Sequence, residues 1–174
     1  AFIYSERSEN QLSYDYLSKS LKIYKSVLGE KHPRTASVYN NIGLVYTNNF
    51  EAVKALEFLN KGLQIRKELF GEKHFSVADS YDNIGNAYVK NRDFKSALAY
   101  YIKGLDIKIE LYGEDHLQNA LSYNNIGYLY YKYLKDFDKA LDYHFKSLKI
   151  RKIYLCELHP DVSASYLPIG NVFV

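Results

Sequence analysis

The sequence predicts an all-α fold built from antiparallel helix pairs, and three observations support this prediction. A block of eight residues recurs four times along the 174-residue chain, at spacings of 42, 42 and 43 residues. Within each repeat the apolar residues recur at steps of three and four, which is the period of one helix face. Proline and glycine stand where such helices would begin and end. We therefore expect a stack of helical repeats.

The repeat is easiest to follow through a block that begins with tyrosine. The block reads YNNIGLVY at Tyr39, YDNIGNAY at Tyr81, YNNIGYLY at Tyr123 and YLPIGNVF at Tyr166. Histidines follow the same register, at His32, His74, His116 and His159. We expect a single array with full repeats at 33–74, 75–116 and 117–159, and partial repeats at 1–32 and 160–174. The extra residue of the third interval falls in the segment 132–136.

Each full repeat contains two predicted helices. The first helices are expected at 33–48, 75–90, 117–133 and 160–174, and the second helices at 9–28, 51–70, 93–112 and 137–155. Pro33 and Pro160 suit the first position of a helix. The residues that can adopt the left-handed conformation at a helix end are Gly29, Gly71 and Gly113.

Glycine also recurs inside the predicted first helices, where it is unfavourable by about 1 kcal/mol relative to alanine. Close approach of a second helix would explain its use there. We therefore expect a contact between the glycines and the small residues of the second helices, that is, between Gly43, Gly85 and Gly127 and Ala55, Ala97 and Ala140.

Three residues depart from the repeat pattern. Pro168 stands inside the last first helix and should kink or end it, because proline has no backbone N–H. Cys156 replaces the recurring glycine, so its turn should differ from the others. Phe50 is expected to turn inward, because Ala52 stands where the later repeats carry phenylalanine.

The sequence contains no methionine, even at position 1, and we expect it to be a piece of a longer protein. Tyr4 lies in the register of Tyr46, so residues 1–6 are expected to be the tail of another first helix.

The composition is that of a soluble globular protein, with 47% hydrophobic and 25% charged residues and a net charge of +3. Basic residues are dispersed, which does not favour nucleic-acid binding. No apolar run reaches the ~18 to 20 residues that cross a bilayer, so membrane insertion is not expected. One cysteine allows no intrachain disulfide, and we expect an intracellular, cytoplasmic protein.

No catalytic, metal or cofactor site is predicted. The four repeated histidines would lie in a row and could not converge on one ion, so we assign them to loop packing and helix starts. His144 occupies a core position of its helix and is expected to pack there. Cys156 and His159 lack a third group to orient them, so they do not indicate a nucleophile.

The repeated blocks resemble the tetratricopeptide repeat. The signature of that repeat is W-x2-L-G-x2-Y followed by A-x3-F. In the second full repeat the matching residues are Tyr81, Ile84, Gly85, Tyr88, Ala97 and Tyr101. The longer second helix and its Gly-x-x-His loop are similar to the 42-residue repeats of kinesin light chains. The resemblance implies a right-handed superhelical solenoid whose concave side binds an extended peptide or a partner protein.

The resemblance also implies which first-helix positions face that groove. They are Ser37, Asn40, Leu44, Thr47 and Asn48, then Asp79, Asp82, Asn86, Val89 and Lys90, then Leu121, Asn124, Tyr128, Tyr131 and Lys132, and finally Asn171. Amides can both donate to and accept from a peptide backbone, and tyrosines are flat anchors. The neighbouring Asn41, Asn83 and Asn125 are expected to pack between helices.

The predicted function is a non-catalytic scaffold for protein or peptide partners, similar to cargo or adaptor recognition. One alternative is a regulatory or ligand-sensing module of a larger signalling or enzymatic protein. Another is RNA or membrane-surface binding through basic residues of the second helices, namely Arg66, Lys67, Lys108, Arg151 and Lys152. Self-association through exposed faces of the partial repeats is also expected.

Overall fold

The computed structural model describes residues 2–173, and the side chains of residues 10–173. Residues 2–173 form eight α-helices and one π-helical turn, with no β-strand among them. The helices are α1 (Phe2–Leu28), α2 (Pro33–Asn48), α3 (Ala52–Phe70), α4 (Phe75–Lys90), α5 (Phe94–Tyr112), α6 (Leu117–Leu129), α7 (Phe137–Tyr154) and α8 (Pro160–Val172). The predicted all-α fold is confirmed. None of these helices is both long enough and apolar enough to cross a membrane.

The chain divides between Asp93 and Phe94 into two compact units. In the first unit α2 packs against α1, α3 and α4, and α3 also packs against α4. In the second unit α6 packs against α5 and α7, and α7 packs against α8. Within each unit, helices that follow one another therefore form the packed pairs that the repeat predicts.

The repeated histidines begin the first helices. The imidazole Nδ1 of His32 accepts a hydrogen bond from the backbone N–H of Arg34 at 3.1 Å. The same bond is made at 3.2 Å by His74, at 3.3 Å by His116 and at 3.1 Å by His159. Each bond satisfies an N–H that has no partner inside its own helix. This confirms the predicted role at helix starts.

Glycine ends three helices, as predicted. Gly29, Gly71 and Gly113 have φ angles of 85°, 80° and 85°, a conformation that residues with a Cβ rarely adopt. At the fourth such position α7 ends at Tyr154, and Leu155 is extended, with φ −122° and ψ 150°. The turn before Cys156 therefore differs from the other three, as its sequence indicates.

The glycines inside the first helices allow close helix contact, but against larger residues than predicted. A Cβ built on Gly43 would lie 2.6 Å from Leu59 Cγ and 3.1 Å from the backbone oxygen of Ala55. A Cβ on Gly127 would lie 2.8 Å from His144 Cε1. The buried residues that rest on the glycines are therefore Leu59 and His144, and the predicted neighbour Ala55 approaches Gly43 with its carbonyl group.

The extra residue of the third interval is absorbed in a π-helical turn, Tyr130–Leu134, at the end of α6. After it Lys135 adopts a left-handed conformation with φ 58°, as do Phe50 at 60° and Arg92 at 61° at the same place in the earlier repeats. The turn thus returns the chain to the common register. The prediction of an ordinary helix through residue 133 is wrong for its last turn.

Two predictions about individual segments are also wrong. Helix α1 is continuous from Phe2, so the predicted break before residue 9 is absent, and residues 6–9 (ERSE) include neither glycine nor proline to break it. The side chain of Tyr4 lies outside the described residues. Helix α8 continues through Pro168 to Val172, so of the two effects expected of this proline, ending the helix does not occur. Phe50 is 70% exposed, since its left-handed turn directs the ring away from the core.

Candidate partner-binding surfaces

In the first unit two predicted groove residues are used inside the fold. Asn40 is 7% exposed, and its Oδ1 accepts a hydrogen bond from Asn83 Nδ2 at 2.9 Å. Thr47 is 3% exposed and donates its hydroxyl to the backbone oxygen of Gly43 at 2.9 Å. The bond to Asn40 confirms that Asn83 packs between first helices.

The equivalent Asn41 is exposed, contrary to the packing role predicted for it. Asn83 of α4 reaches back to α2, the preceding first helix. The equivalent neighbour of Asn41 would lie on a first helix before α2, and no such helix is present among the residues whose side chains are described. Asn125 of α6 is half-buried.

The remaining candidates of the first unit form a mixed surface on α2 and α4. Asn48, Asp79 and Lys90 are exposed. The half-buried members are Leu44, Asp82, Asn86 and Val89, and Ser37 is exposed at the start of α2. We call the exposed residues Asn48, Asp79 and Lys90 the α2–α4 surface. It carries one acidic group, one basic group and an amide.

Lys90 has an aromatic neighbour that the sequence did not reveal. Its ammonium nitrogen lies 4.7 Å from the centroid of the Phe50 ring. The ring is exposed and a cation over an aromatic face is attractive, so the pair presents a fixed charge and a flat apolar surface side by side.

In the second unit the candidates Tyr128, Tyr131 and Lys132 lie at the π-helical turn. Lys132 donates a hydrogen bond to the hydroxyl of Tyr128 at 2.6 Å, and its ammonium lies 5.2 Å from the Tyr128 ring and 5.6 Å from the Tyr133 ring. The two rings meet edge to face with centroids 6.1 Å apart. We call Tyr128, Lys132 and Tyr133 the π-turn cluster. Of the other candidates, Asn124 and Tyr131 are half-buried, and Leu121 and Asn171 are exposed.

The π-turn cluster is supported through Tyr133. The Tyr133 ring stacks on Phe94 with centroids 4.1 Å apart. Tyr131 contacts Phe137 at 6.1 Å between centroids. The hydrogen bond to Tyr128 raises the pKa of Lys132, because it stabilises the charged ammonium. A preordered cation between two aromatic rings suits a carboxylate or a carbonyl oxygen of a partner.

Sequence reasoning missed Tyr133, Phe94 and Phe50. The signal for Tyr133 was the third interval, which is 43 residues long. Counted at 42 residues, Lys132 corresponds to Lys90, and counted at 43 residues, Tyr133 does. No signal marked Phe50 as a partner of Lys90, since the contact depends on the turn geometry of a neighbouring repeat.

Basic residues of the second helices form a recurring contact. Arg66 donates to Ser80 Oγ at 2.8 Å and to the backbone oxygen of Ser76 at 2.9 Å. The same contact joins Lys108 to Ser122 at 3.2 Å and Arg151 to Ser165 at 2.6 Å. Each joins a second helix to the first helix that follows, and we call it the cation–serine bridge.

The cation–serine bridges bear on the RNA or membrane-surface alternative, which needs these basic residues to be available at the surface. Lys108 is only 5% exposed, and burial lowers the pKa of Arg66. Of the five residues that the RNA or membrane-surface alternative needs, Arg66, Lys108 and Arg151 are engaged within the fold. The structure therefore gives this alternative little support.

Replacing Arg66 by methionine should lower the free energy of unfolding by about 1–2 kcal/mol, because it removes a charge-assisted hydrogen bond while keeping an apolar stem. Lys61→Met is the matched control, since Lys61 pairs with Glu57 at 2.7 Å on the exposed surface of the same helix. Such surface pairs contribute about 0–1 kcal/mol. Urea unfolding measures both. Equal losses in the two variants would show that the bridge adds no stability.

Comparison with known proteins gives a consistent assignment. The sequence profile of the Tetratricopeptide repeat matches residues 1–68, 49–110 and 76–153. No curated protein sequence matches the chain. The fold is similar to the crystal structure of BtubC (BKLC) from P. vanneervenii, with TM-score 0.80, 26% identity, and coverage of 97% of this chain and 67% of that one.

Two further solved structures share the fold at lower identity. One contains the nearly identical TPR-like repeats of a kinesin light chain candidate from Podosopora anserina, with TM-score 0.77, 18% identity, and coverage of 98% of this chain and 80% of that one. The other is the apo form of RapI, with TM-score 0.72, 19% identity, and coverage of 99% and 63%. Because the family profile covers most of the sequence and the helices pair as the repeat requires, the chain belongs to the tetratricopeptide repeat family, whose arrays serve as scaffolds for protein interaction.

Proposed function

We propose that the exposed first-helix side chains bind an extended peptide segment of a partner protein, without catalysis. The observation that carries this proposal is the π-turn cluster. Its lysine ammonium is fixed over two tyrosine rings, and Tyr128 is 41% exposed beside the exposed Lys132. Side chains that are ordered before binding lose little entropy when a partner arrives.

The chemistry of the π-turn cluster indicates the kind of peptide residue that it takes. Lys132 makes one hydrogen bond to Tyr128 and has further N–H donors for a carboxylate or a backbone carbonyl. The faces of Tyr128 and Tyr133 offer apolar contact to a neighbouring side chain of the peptide. We therefore expect an acidic residue next to an apolar or aromatic one.

The α2–α4 surface supports a ligand of mixed charge. Asp79 and Lys90 present opposite charges, and the pair of Lys90 with Phe50 repeats the combination of cation and ring found in the second unit. Asn48 adds an amide that can both donate and accept. A peptide with both charge signs fits these groups better than a uniformly acidic one.

The proposal is tested by selecting binders from a displayed library of short random peptides and comparing two variants of the chain. Tyr128→Ala/Lys132→Ala removes the π-turn cluster. Loss of an anchor of this kind weakens binding by about 2 kcal/mol, or roughly 30-fold in Kd. Fluorescence anisotropy with the selected peptides measures the change.

The matched control is Tyr100→Ala/Lys103→Ala on α5. It removes another lysine and tyrosine pair of the second unit, whose ammonium lies 5.1 Å from the ring centroid, but on a second helix. The control should leave affinity within about twofold of the wild type. Peptides that bind the cluster variant as tightly as the wild type would contradict the proposal, as would equal losses in the two variants.

A further inference from the structure

A groove of about 610 Å³ in the first unit is lined by α1, α2 and α3. The buried Ile42 of α2 forms its floor, and Phe58 of α3 lies on one side. The other side is a face of α1 that runs from Tyr14 to Ser26, which is about 18 Å along the helix axis. We call this space the α1–α3 groove. It is elongated, and its floor is apolar.

The side chains that line the α1–α3 groove have their packing partners within these three helices. Leu21 and Phe58 pack against the buried cluster that includes Tyr39. The Tyr14 ring meets the Tyr46 ring edge to face, with centroids 5.4 Å apart, and Phe58 stacks on the same Tyr46 ring at 5.6 Å. Contacts among α1, α2 and α3 therefore set the shape of the groove.

A small residue makes room in the α1–α3 groove. Ser18 lines it and is half-buried. Two repeats further on, α5 carries the bulkier Ile102 at this position. The floor is the same in both repeats, since Ile126 is the equivalent of Ile42. The first unit thus has a serine where the second unit has a branched apolar side chain.

The net charge of the α1–α3 groove comes from Lys22. Lys25 also lines the groove, but its ammonium pairs with Glu30 at 2.6 Å. Among the residues whose side chains are described, none pairs with the ammonium of Lys22. The equivalent residue of the second unit is Asp106, which has the opposite charge. The groove therefore combines an apolar floor with one unbalanced positive charge.

We propose that the α1–α3 groove binds a fatty acid of medium chain length. The carboxylate lies on the ammonium of Lys22 and the hydroxyl of Ser18, which are four residues apart and therefore neighbours on the helix surface. Both groups donate hydrogen bonds, and the bond from the ammonium is charge-assisted. The alkyl chain lies along Leu21, Ile42 and Phe58, where burial of its surface favours binding.

The size of the α1–α3 groove favours a small molecule over a partner helix. Small-molecule sites have volumes of roughly 300–1,000 Å³, a range that includes this groove. Two turns of a helix about 10 Å wide would already occupy about 850 Å³. A linear chain also matches the elongated shape. The site is separate from the first-helix side chains proposed to bind a peptide.

The proposal is tested with three probes in isothermal titration calorimetry, each kept below the concentration at which it forms micelles. Dodecanoate should bind saturably with a Kd of roughly 10–100 µM. Dodecyltrimethylammonium has an alkyl chain of the same length and the opposite charge, and it should bind at least about tenfold more weakly. Butanoate has the carboxylate without the long chain and should not bind measurably. Absence of saturable dodecanoate binding, or equal affinity for dodecyltrimethylammonium, overturns the proposal.

The charge is tested by Lys22→Asp, which introduces the residue that the second unit has at this position. It should weaken dodecanoate binding at least about tenfold and make dodecyltrimethylammonium the preferred probe. Lys19→Asp is the matched control, because this exposed lysine lies on the same helix with its ammonium 5.4 Å from the Tyr16 ring centroid, outside the groove. The control should stay within about twofold of the wild type. Equal losses in the two variants would show only a general attraction between charges and would refute the site.

The space is tested by Ser18→Ile, which introduces the side chain of Ile102. Dodecanoate binding should be lost while circular dichroism shows wild-type helicity. Ser13→Ile places the same side chain at an exposed position of α1 outside the groove and should bind as the wild type does. A folded Ser18→Ile chain that keeps its affinity for dodecanoate overturns the proposal. The Lys22→Asp result does not depend on filling the groove, so it decides the matter if Ser18→Ile loses helicity.

Discussion

The Gly43→Leu variant should unfold at a much lower urea concentration than the wild type, with a loss of about 2–3 kcal/mol in the free energy of unfolding. A Cβ at this position would lie 2.6 Å from Leu59 Cγ and 3.1 Å from the backbone oxygen of Ala55. Leu59 is 1% exposed and cannot move into solvent, and a backbone oxygen cannot rotate away. The helices α2 and α3 would have to separate.

The control is Gly170→Leu, where the added side chain meets open space. It removes the same unfavourable glycine from a helix interior, so it should leave stability unchanged or raise it by up to about 1 kcal/mol. A second test combines Gly43→Ala with Leu59→Ala, and the double variant should be less unstable than the sum of the single changes. Wild-type stability in Gly43→Leu would show that α2 and α3 do not meet at this residue.

The helices that could be predicted most accurately are those with local boundary signals. Helices α2 and α4 run from Pro33 to Asn48 and from Phe75 to Lys90, the predicted ranges. A histidine cap and the period of one apolar face act within a few residues of the boundary. They are therefore visible in the sequence itself.

The exposure of polar residues could not be predicted in the same way. Asn40 and Asn48 lie on one helix, and the resemblance assigned both to the groove. Asn40 is buried and is hydrogen-bonded to Asn83, which is 43 residues away in the sequence, whereas Asn48 is exposed. A periodic pattern assigns a residue to a helix face, but burial also depends on which neighbouring helix covers that face.

The cation–serine bridges illustrate the same limit. Arg66 and Lys108 have the same spacing to a serine, 14 residues further on. That spacing spans a turn between two helices, so it has no meaning until the packing of those helices is known. In composition alone, both residues were indistinguishable from solvated charges.

His144→Leu should raise the free energy of unfolding at neutral pH by about 1–3 kcal/mol. His144 is 1% exposed, and neither ring nitrogen has a hydrogen-bond partner among the described residues. The first full repeat shows that leucine fits such a site, because Leu59 rests on Gly43 as His144 rests on Gly127. Leucine therefore removes two unsatisfied polar atoms while keeping a side chain of similar size.

The pH dependence separates this polar penalty from a gain in packing. Burial lowers the pKa of His144 to about 4, from 6.5 for an exposed histidine. Above pH 6.5 the ring is neutral in both states, and its contribution does not change with pH. As the pH falls from 6.5 towards 4, the unfolded chain binds a proton that the folded chain does not, so wild-type stability falls by about 3 kcal/mol from this group. Below pH 4 both states are protonated and the loss is complete.

The difference in unfolding free energy between His144→Leu and the wild type should therefore grow as the pH is lowered from 7 to 4. Taking the difference cancels the other titrating groups, which both chains share. Urea unfolding at four pH values in this window measures it. A difference that stays constant across the window would mean that His144 can be protonated in the folded chain, and hence that α6 and α7 do not enclose its ring. A growing difference at pH 5, with the variant already more stable at pH 7, would show that one buried imidazole sets the acid sensitivity of this helix pair.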